Sequence, residues 1–459
     1  MKLKSAVAVV FLAACGSPGG DDGGTGGGTA TGGGTATGGG TAVDAGNNIL
    51  TPPEMTLAKT FSPLPALPPD PTNAYADNAA AATLGQRLYF DSSYSGALVV
   101  DADAGTGSLG PAGTTGLVSC FSCHGSSIAG DDNRSTPNNV SLGTNYGTRN
   151  ALPVVNSSYN LWTNWGGRFD SQWSLPTAVA ENGVIMNSTR LKVAHLMFNK
   201  YRADYDAIFP VALDPDLDPT SANAARFPPS GKPAAAGADA GVWEAMAAGD
   251  RTIVNRIHAN YGKAIAAYMR KLVSKHAPFD DFVDGSGTIS VSAQRGFIVF
   301  TTTGKCSTCH RGPNFTDDTF HALGVPQTGP HVPATDLGRY QDVPALLASP
   351  FNSAGAFSDL PDAGRLTGLV QDASQIGQFR TRSLRGVGSS APYMHSGQFA
   401  TLEAVIDFYD VGGGPLLDGG VPEITPLNLT ATEKADLAAF LRTLDGQPVD
   451  PALLMNTSR

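Results

Sequence analysis

The chain has 459 residues, 41% of them hydrophobic, which is enough for two to three domains with real cores. Its net charge of −10 excludes a broad basic surface, so no nucleic-acid partner is expected. Beyond the N-terminus no run approaches the ~18 uncharged apolar residues of a transmembrane helix.

Lys2 and Lys4 open the chain, and the apolar run from Ala6 to Leu12 is too short to span a bilayer. Leu12-Ala13-Ala14-Cys15 reads as a bacterial lipobox, which predicts residues 1–15 as a signal and Cys15 as the lipidated residue. The alternative is a plain secretory signal with an incidental Cys. Gly16 rather than Asp follows, so the expected location is the periplasmic side of the envelope, anchored by lipid alone to the outer membrane. Residues 16–70 carry Gly/Thr repeats and then a Pro-rich stretch. Such composition cannot bury enough apolar surface to order itself, and a flexible linker is predicted.

The rest is patterned as helices with long irregular loops and little sheet. Leu84, Leu88 and Tyr89 share one face of a helix predicted over 77–90. Cys120-Phe121-Ser122-Cys123-His124 follows, and residues 211–241, rich in Pro, Ala and Asp, read as a surface excursion. A helix over 250–275 has Asp250 as its N-cap and a stripe of Ile253, Ile257, Ala264, Ile265 and Tyr268. A helix over 291–302 precedes Cys306-Ser307-Thr308-Cys309-His310, and residues 324–378 read as irregular. The last predicted helix, 431–444, starts with a Thr430/Glu433 capping box and lines up Leu437, Phe440, Leu441 and Leu444.

The repeated C-x-x-C-H pattern carries the chemistry. Two thiols three residues apart each add to a vinyl group of one porphyrin, and the adjacent His supplies an axial nitrogen to its iron. A redox disulfide or a zinc site shared by both pairs is the alternative. Neither needs a His after each pair, nor export. The expectation is two covalently bound haem c groups, with His124 and His310 as proximal ligands. The predicted fold is mainly α: two cytochrome c-like haem domains, 71–285 and 286–459, packed together.

Further segments carry a family resemblance: LGQRLYFD at 84–91, RNALPVVN at 149–156, NWGGRFD at 164–170, NFTDDTFHALG at 314–324 and SLRGVGSSAPYMHSGQFATLEAVIDFYDVGGG at 383–414. With them the chain resembles the bacterial di-haem cytochrome c peroxidase and MauG-type family over residues 77–446. The resemblance implies a peroxide-reacting N-terminal haem and a C-terminal haem that takes in electrons. It implies Tyr409, fourteen residues after His395, as distal ligand of the second haem, with Met394 as its rival, and His395 as a hydrogen-bonding support. Trp165 matches the tryptophan between the haems. Asn150, Ser390 and Pro392 match a calcium site, so one Ca2+ is expected.

Two departures accompany the resemblance. No His occurs from 125 to 194, so the first haem is expected to be open on its distal side. The family's acid–base Glu falls on Ile185 and its usual Gln on Leu175; a shifted register would bring Glu181 in instead. The leading expectation is an oxidoreductase reducing hydrogen peroxide, with a small periplasmic redox protein as donor. The alternatives are a MauG-type oxidase acting on a protein substrate, favoured by Tyr409, and a non-enzymatic electron carrier, favoured by Ile185.

Overall fold

The computed structural model describes residues 47–101, 109–125, 128–235 and 237–458; Cys15 and residues 16–46 lie outside them. The described residues are mostly helical, as expected. In chain order the helices are α1 (Pro52–Ala58), α2 (Ala79–Phe90), α3 (Ser174–Glu181), α4 (Arg190–Ile208), α5 (Val242–Ala245), α6 (Ala248–Met269), α7 (Pro278–Asp284), α8 (Val291–Thr301), α9 (Arg339–Ala348), α10 (Leu402–Asp410) and α11 (Ala431–Arg442). Two short strands, β1 (Phe320–Ala322) and β2 (Gln378–Arg380), pair antiparallel with Phe320 opposite Arg380. No described helix is long and apolar enough to cross a membrane.

Capping residues set several helix starts. The side chains of Asn78, Ser290 and Thr430 accept from backbone N–H groups at the starts of α2, α8 and α11. α6 differs from its predicted span: it begins two residues earlier, leaving Asp250 in its first turn, where the carboxylate accepts from Arg226 at 2.7 Å. It ends at Met269 because the chain then turns, and the Leu272 carbonyl accepts from Asn156 N–H instead. α4 and α9 have no counterpart among the predicted elements, although Leu191, Ala194, Met197, Phe198 and Tyr201 line a buried face of α4.

Two helix crossings organise two cores. A Cβ on Gly85 would stand 1.9 Å from the Ala264 carbonyl oxygen, where α2 crosses α6; one on Gly296 would stand 1.9 Å from the Asp436 carbonyl, where α8 crosses α11. Only a residue without a side chain permits such an approach. The first core gathers Leu84, Tyr89, Met197, Tyr205, Tyr261 and Ile265. The second is built on Phe61, Phe279, Phe297, Phe300, Phe315 and Phe440, with several edge-to-face pairs between 5.3 and 6.1 Å. Each buried ring contributes about 1.5–3 kcal/mol by burial alone.

The chain ends are exchanged between these cores. Leu50, Ala58 and Phe61 belong to the second core, whereas Val449 belongs to the first and Leu453 packs against it. The linker predicted over 16–70 is therefore corrected over residues 50–61. A Thr51/Glu54 capping box with Pro at the first helical position starts α1, and the apolar residues around it have a core to fill. At the other end, Tyr268 Oη donates to the Leu453 carbonyl at 2.6 Å.

A backbone repeat relates the two lobes at a spacing of 230 residues. Bridges link Thr163 to Phe169 and Tyr393 to Phe399. Left-handed φ values recur at Asn164 (67°) and Met394 (69°), and at Gly167 (65°) and Gly397 (64°). Asn150 N–H donates to the His395 carbonyl at 2.7 Å, and Arg380 N–H to the Trp165 carbonyl at 2.8 Å, so each lobe reaches into the other in the same way. Trp165 and His395 are thus counterparts, as are Val179 and Tyr409.

Replacing Gly85 or Gly296 by Ala is expected to destabilise the protein by about 1–3 kcal/mol through overpacking. Urea unfolding checks this; an unchanged midpoint for G296A would show that α8 and α11 can move apart freely.

Candidate functional site

The first C-x-x-C-H sits on a 3-10 turn, Cys120–Ser122, with His124 just beyond it. Tyr89 on α2 donates to the His124 carbonyl at 3.2 Å. The imidazole Nδ1 lies 3.0 Å from the Gly130 carbonyl, to which it donates, leaving Nε2 free. Burial lowers the His124 pKa, so the ring is neutral and fit to ligate. Cys120 and Cys123 are unpaired, and burial pushes both thiols up to about 12.

These groups wall a cavity completed by Leu175, Pro176, Val179, Ile185, Met186, Ile265 and Met269, with Tyr89, Ser119 and Val154. Among the described residues no carboxylate lines it. Leu175 and Ile185 therefore line the cavity where the resemblance expected a Gln and a Glu.

The second motif repeats the construction. Cys306–Thr308 is a 3-10 turn, and His310 Nδ1 donates to the Phe315 carbonyl at 3.0 Å. Cys306, Cys309 and His310 line a cavity of about 470 Å³. Tyr409 and Ile406 from α10, and Leu437 and Leu441 from α11, line it as well, with Met394 and His395. The Tyr409 hydroxyl has no hydrogen-bond partner among the described residues. The two Cys pairs face separate cavities, which rules out one zinc site built from both.

Residues of the first lobe complete the second cavity: Asn150, Ala151, Pro153 and Trp165. Trp165 Nε1 donates to the Asn150 carbonyl at 2.8 Å, and its ring meets His395 edge-on at 6.3 Å. The backbone continues from Asn150 to Val154, which lines the first cavity, so one short segment touches both. His395 is 3% exposed, stacks on Phe379 at 3.7 Å and approaches Gln327 Nε2 at 3.4 Å. Burial pulls its pKa down to about 4, so it is neutral. Asn150 Nδ2 donates to the Pro392 carbonyl at 3.1 Å, its Oδ1 accepts from Ser141 Oγ at 2.9 Å, and Ser390 lies in the same wall.

Comparison with known proteins agrees with this geometry. Residues 79–288 match the family model described as di-haem cytochrome c peroxidase. The cytochrome-c peroxidase IdrP2 of Denitromonas iodatirespirans is 30% identical over 397 residues, 84% of this chain and 86% of the relative. The chain belongs to the di-haem cytochrome c peroxidase family. The methylamine utilization protein MauG of Methylorubrum extorquens is 29% identical over 73% of this chain and 74% of its own. The diheme peroxidase BthA of Burkholderia thailandensis shares the fold, with a TM-score of 0.56 and 20% identity, over 82% of this chain and 87% of that one. As a member of this family the chain is a peroxidase-type haem oxidoreductase with two haem cofactors.

Glu181 is the site residue that this di-haem peroxidase places elsewhere. It ends α3, but its carboxylate is gripped by Arg190, with Nε to Oε1 at 2.8 Å and Nη2 to Oε2 at 2.6 Å, and it does not line the first cavity. Helical spacing explains the correction: Leu175, Pro176 and Val179 take the cavity side, while Thr177 faces α6, where its carbonyl accepts from His258 Nε2 at 3.0 Å. Burial works to raise the Glu181 pKa, but the Arg190 hydrogen bonds outweigh it and hold the carboxyl below its ordinary 4.5. Sequence reasoning also missed Arg149, whose guanidinium pairs with Asp336 at 2.6 Å and Asp342 at 2.7 Å, and the arginines of β2 and its extension.

E181Q is expected to cost about 3–5 kcal/mol at neutral pH, since it leaves Arg190 buried and unpaired. The folded pKa lies below the unfolded one. The stability is therefore fully present above the unfolded value and lost as pH falls through the folded value. Urea midpoints of wild type and E181Q should draw together as pH falls below the ordinary carboxylate range, with peroxide reactivity unchanged at neutral pH. A large loss of peroxide reactivity in folded E181Q would return Glu181 to the catalytic machinery.

Proposed function

We propose that hydrogen peroxide is reduced in the cavity beside His124, with electrons arriving from the site beside His310 past Trp165. Cys120, Cys123 and His124 hold one haem, and Cys306, Cys309 and His310 the other. When bound, these haems supply one-electron chemistry and an iron site for a peroxide oxygen. The observation that carries the reading is an asymmetry: Tyr409 projects into the second cavity, whereas its counterpart 230 residues earlier is Val179. An aliphatic wall offers no ligand of the Tyr409 kind and so leaves room for a small oxidant.

The same wall sets the pace. With Ile185 in place of an acid–base group, no side chain there moves a proton between peroxide oxygens, a contribution of roughly 10²–10⁴-fold elsewhere. Turnover is therefore slow. A MauG-type oxidation of a partner protein is the second reading, favoured by the unpartnered Tyr409 hydroxyl, since a phenolate ligand stabilises oxidised iron. Trp165, with its indole N–H held by Asn150, is the relay. The donor is a small periplasmic redox protein, and the chain acts outside the cytoplasm, anchored through Cys15.

EPR of the ferric protein before and after one equivalent of peroxide tests this. A high-spin signal that vanishes within seconds is expected. Low-spin signals alone, unchanged by peroxide, would leave an electron carrier in place of an enzyme.

Asn150, with the carbonyls of Ser390 and Pro392, is the proposed calcium site. Calcium at a hundred times its Kd should then stabilise EGTA-treated protein by about 2.7 kcal/mol. Thermal unfolding checks this, and N150A should abolish the effect; a calcium response that survives N150A would place the ion elsewhere.

A further inference from the structure

The wall of the second cavity carries more positive charge than the protein neutralises. The Arg380 side chain is 0% exposed and donates through Nη1 to Asp318 at 2.8 Å. Its Nε and Nη2, the two N–H groups that share one edge of the guanidinium, are buried without a partner. Arg382 lines the same cavity, and its guanidinium donates to no described residue. Asp318 is the one carboxylate whose charge is felt by both. Arg385, three residues further on, is by contrast paired with Asp280 at 2.9 Å.

The first lobe provides an internal comparison. The positions 230 residues earlier are Asn150 and Leu152, both uncharged. The backbones correspond, because Asn150 N–H donates to the His395 carbonyl just as Arg380 N–H donates to the Trp165 carbonyl. The charge is thus an addition made in the second lobe alone. A guanidinium stays ionised in a protein, and burying it without a counter-ion is strongly unfavourable. The Arg382 guanidinium, which lines the cavity, suits a carboxylate.

We propose that Arg382 clamps a carboxylate of the haem in the second cavity and sets that haem's potential. The Arg382 guanidinium lies 5.8 Å from the Trp165 ring, so the same charge acts on the electron route. A fixed cation opposes the extra positive charge of ferric iron and favours the ferrous state. The proposal rests on the two-haem reading and not on peroxide chemistry.

The test is a redox titration of the intact protein, with both haems first counted by pyridine haemochromogen absorbance. In R382Q one haem should shift about tenfold toward ferric at a given potential, which is about 59 mV for a one-electron couple. The other haem should titrate as in wild type, and R382K should recover most of the wild-type midpoint. An unchanged R382Q, or an R382K indistinguishable from it, overturns the proposal. If R382Q matures with one haem, R382K maturing with two supports the clamp, and R382K with one overturns it. Added phosphate should leave the wild-type midpoints where they are; a phosphate-dependent midpoint would mean a free anion fills the clamp. Peroxide reactivity, followed separately on the same samples, judges the functional reading alone.

Discussion

Everything in this molecule depends on a hydrogen bond between an imidazole and a backbone carbonyl, made twice. His124 gives its Nδ1–H to Gly130, and His310 gives its own to Phe315. Each bond fixes the ring's tautomer and direction, so Nε2 faces the cavity with its lone pair free. The Gly130 carbonyl is held by a second bond, from Val154 N–H at 3.1 Å, and Phe315 is anchored by its ring in the second core. A ligand histidine that could swivel would make the cavity walls irrelevant.

On this duplicated frame the two lobes have been made unequal by few side chains. Where the second lobe has Tyr409 the first has Val179, and where it has Arg380 and Arg382 the first has Asn150 and Leu152. Trp165 and His395 occupy matching turns and touch each other. The first cavity is aliphatic opposite its histidine; the second is larger and lined by phenol, imidazole and guanidinium.

Much of this was legible in the sequence. The C-x-x-C-H motifs are dense local signals, and strong apolar periodicity exposed α2, α6, α8 and α11 in advance. What escaped was either non-local or masked by composition. α1 hid in a Pro-rich stretch, because its reason to order is a core built by residues more than two hundred positions away. Glu181 looked available because neighbouring residues do reach the cavity, yet helical geometry turns it toward Arg190. The unanswered charge of Arg380 and Arg382 exists only once their surroundings are known. The repeat was invisible because it is carried by turns and φ angles: position 164 is Asn where 394 is Met, and 165 is Trp where 395 is His.

The exchange of chain ends between the cores has a consequence for how the protein comes into being. The first core is unfinished until Val449, Leu453 and Leu454 arrive, the last of its residues to be synthesised, while the second waits from the start with Phe61 already made. Neither lobe is an autonomous module that can ripen while the other is still emerging. Removing residues 50–61 or 449–454 strips the far lobe of part of its interior, and a version split after Asp284 would leave two fragments, each lacking a piece carried by the other.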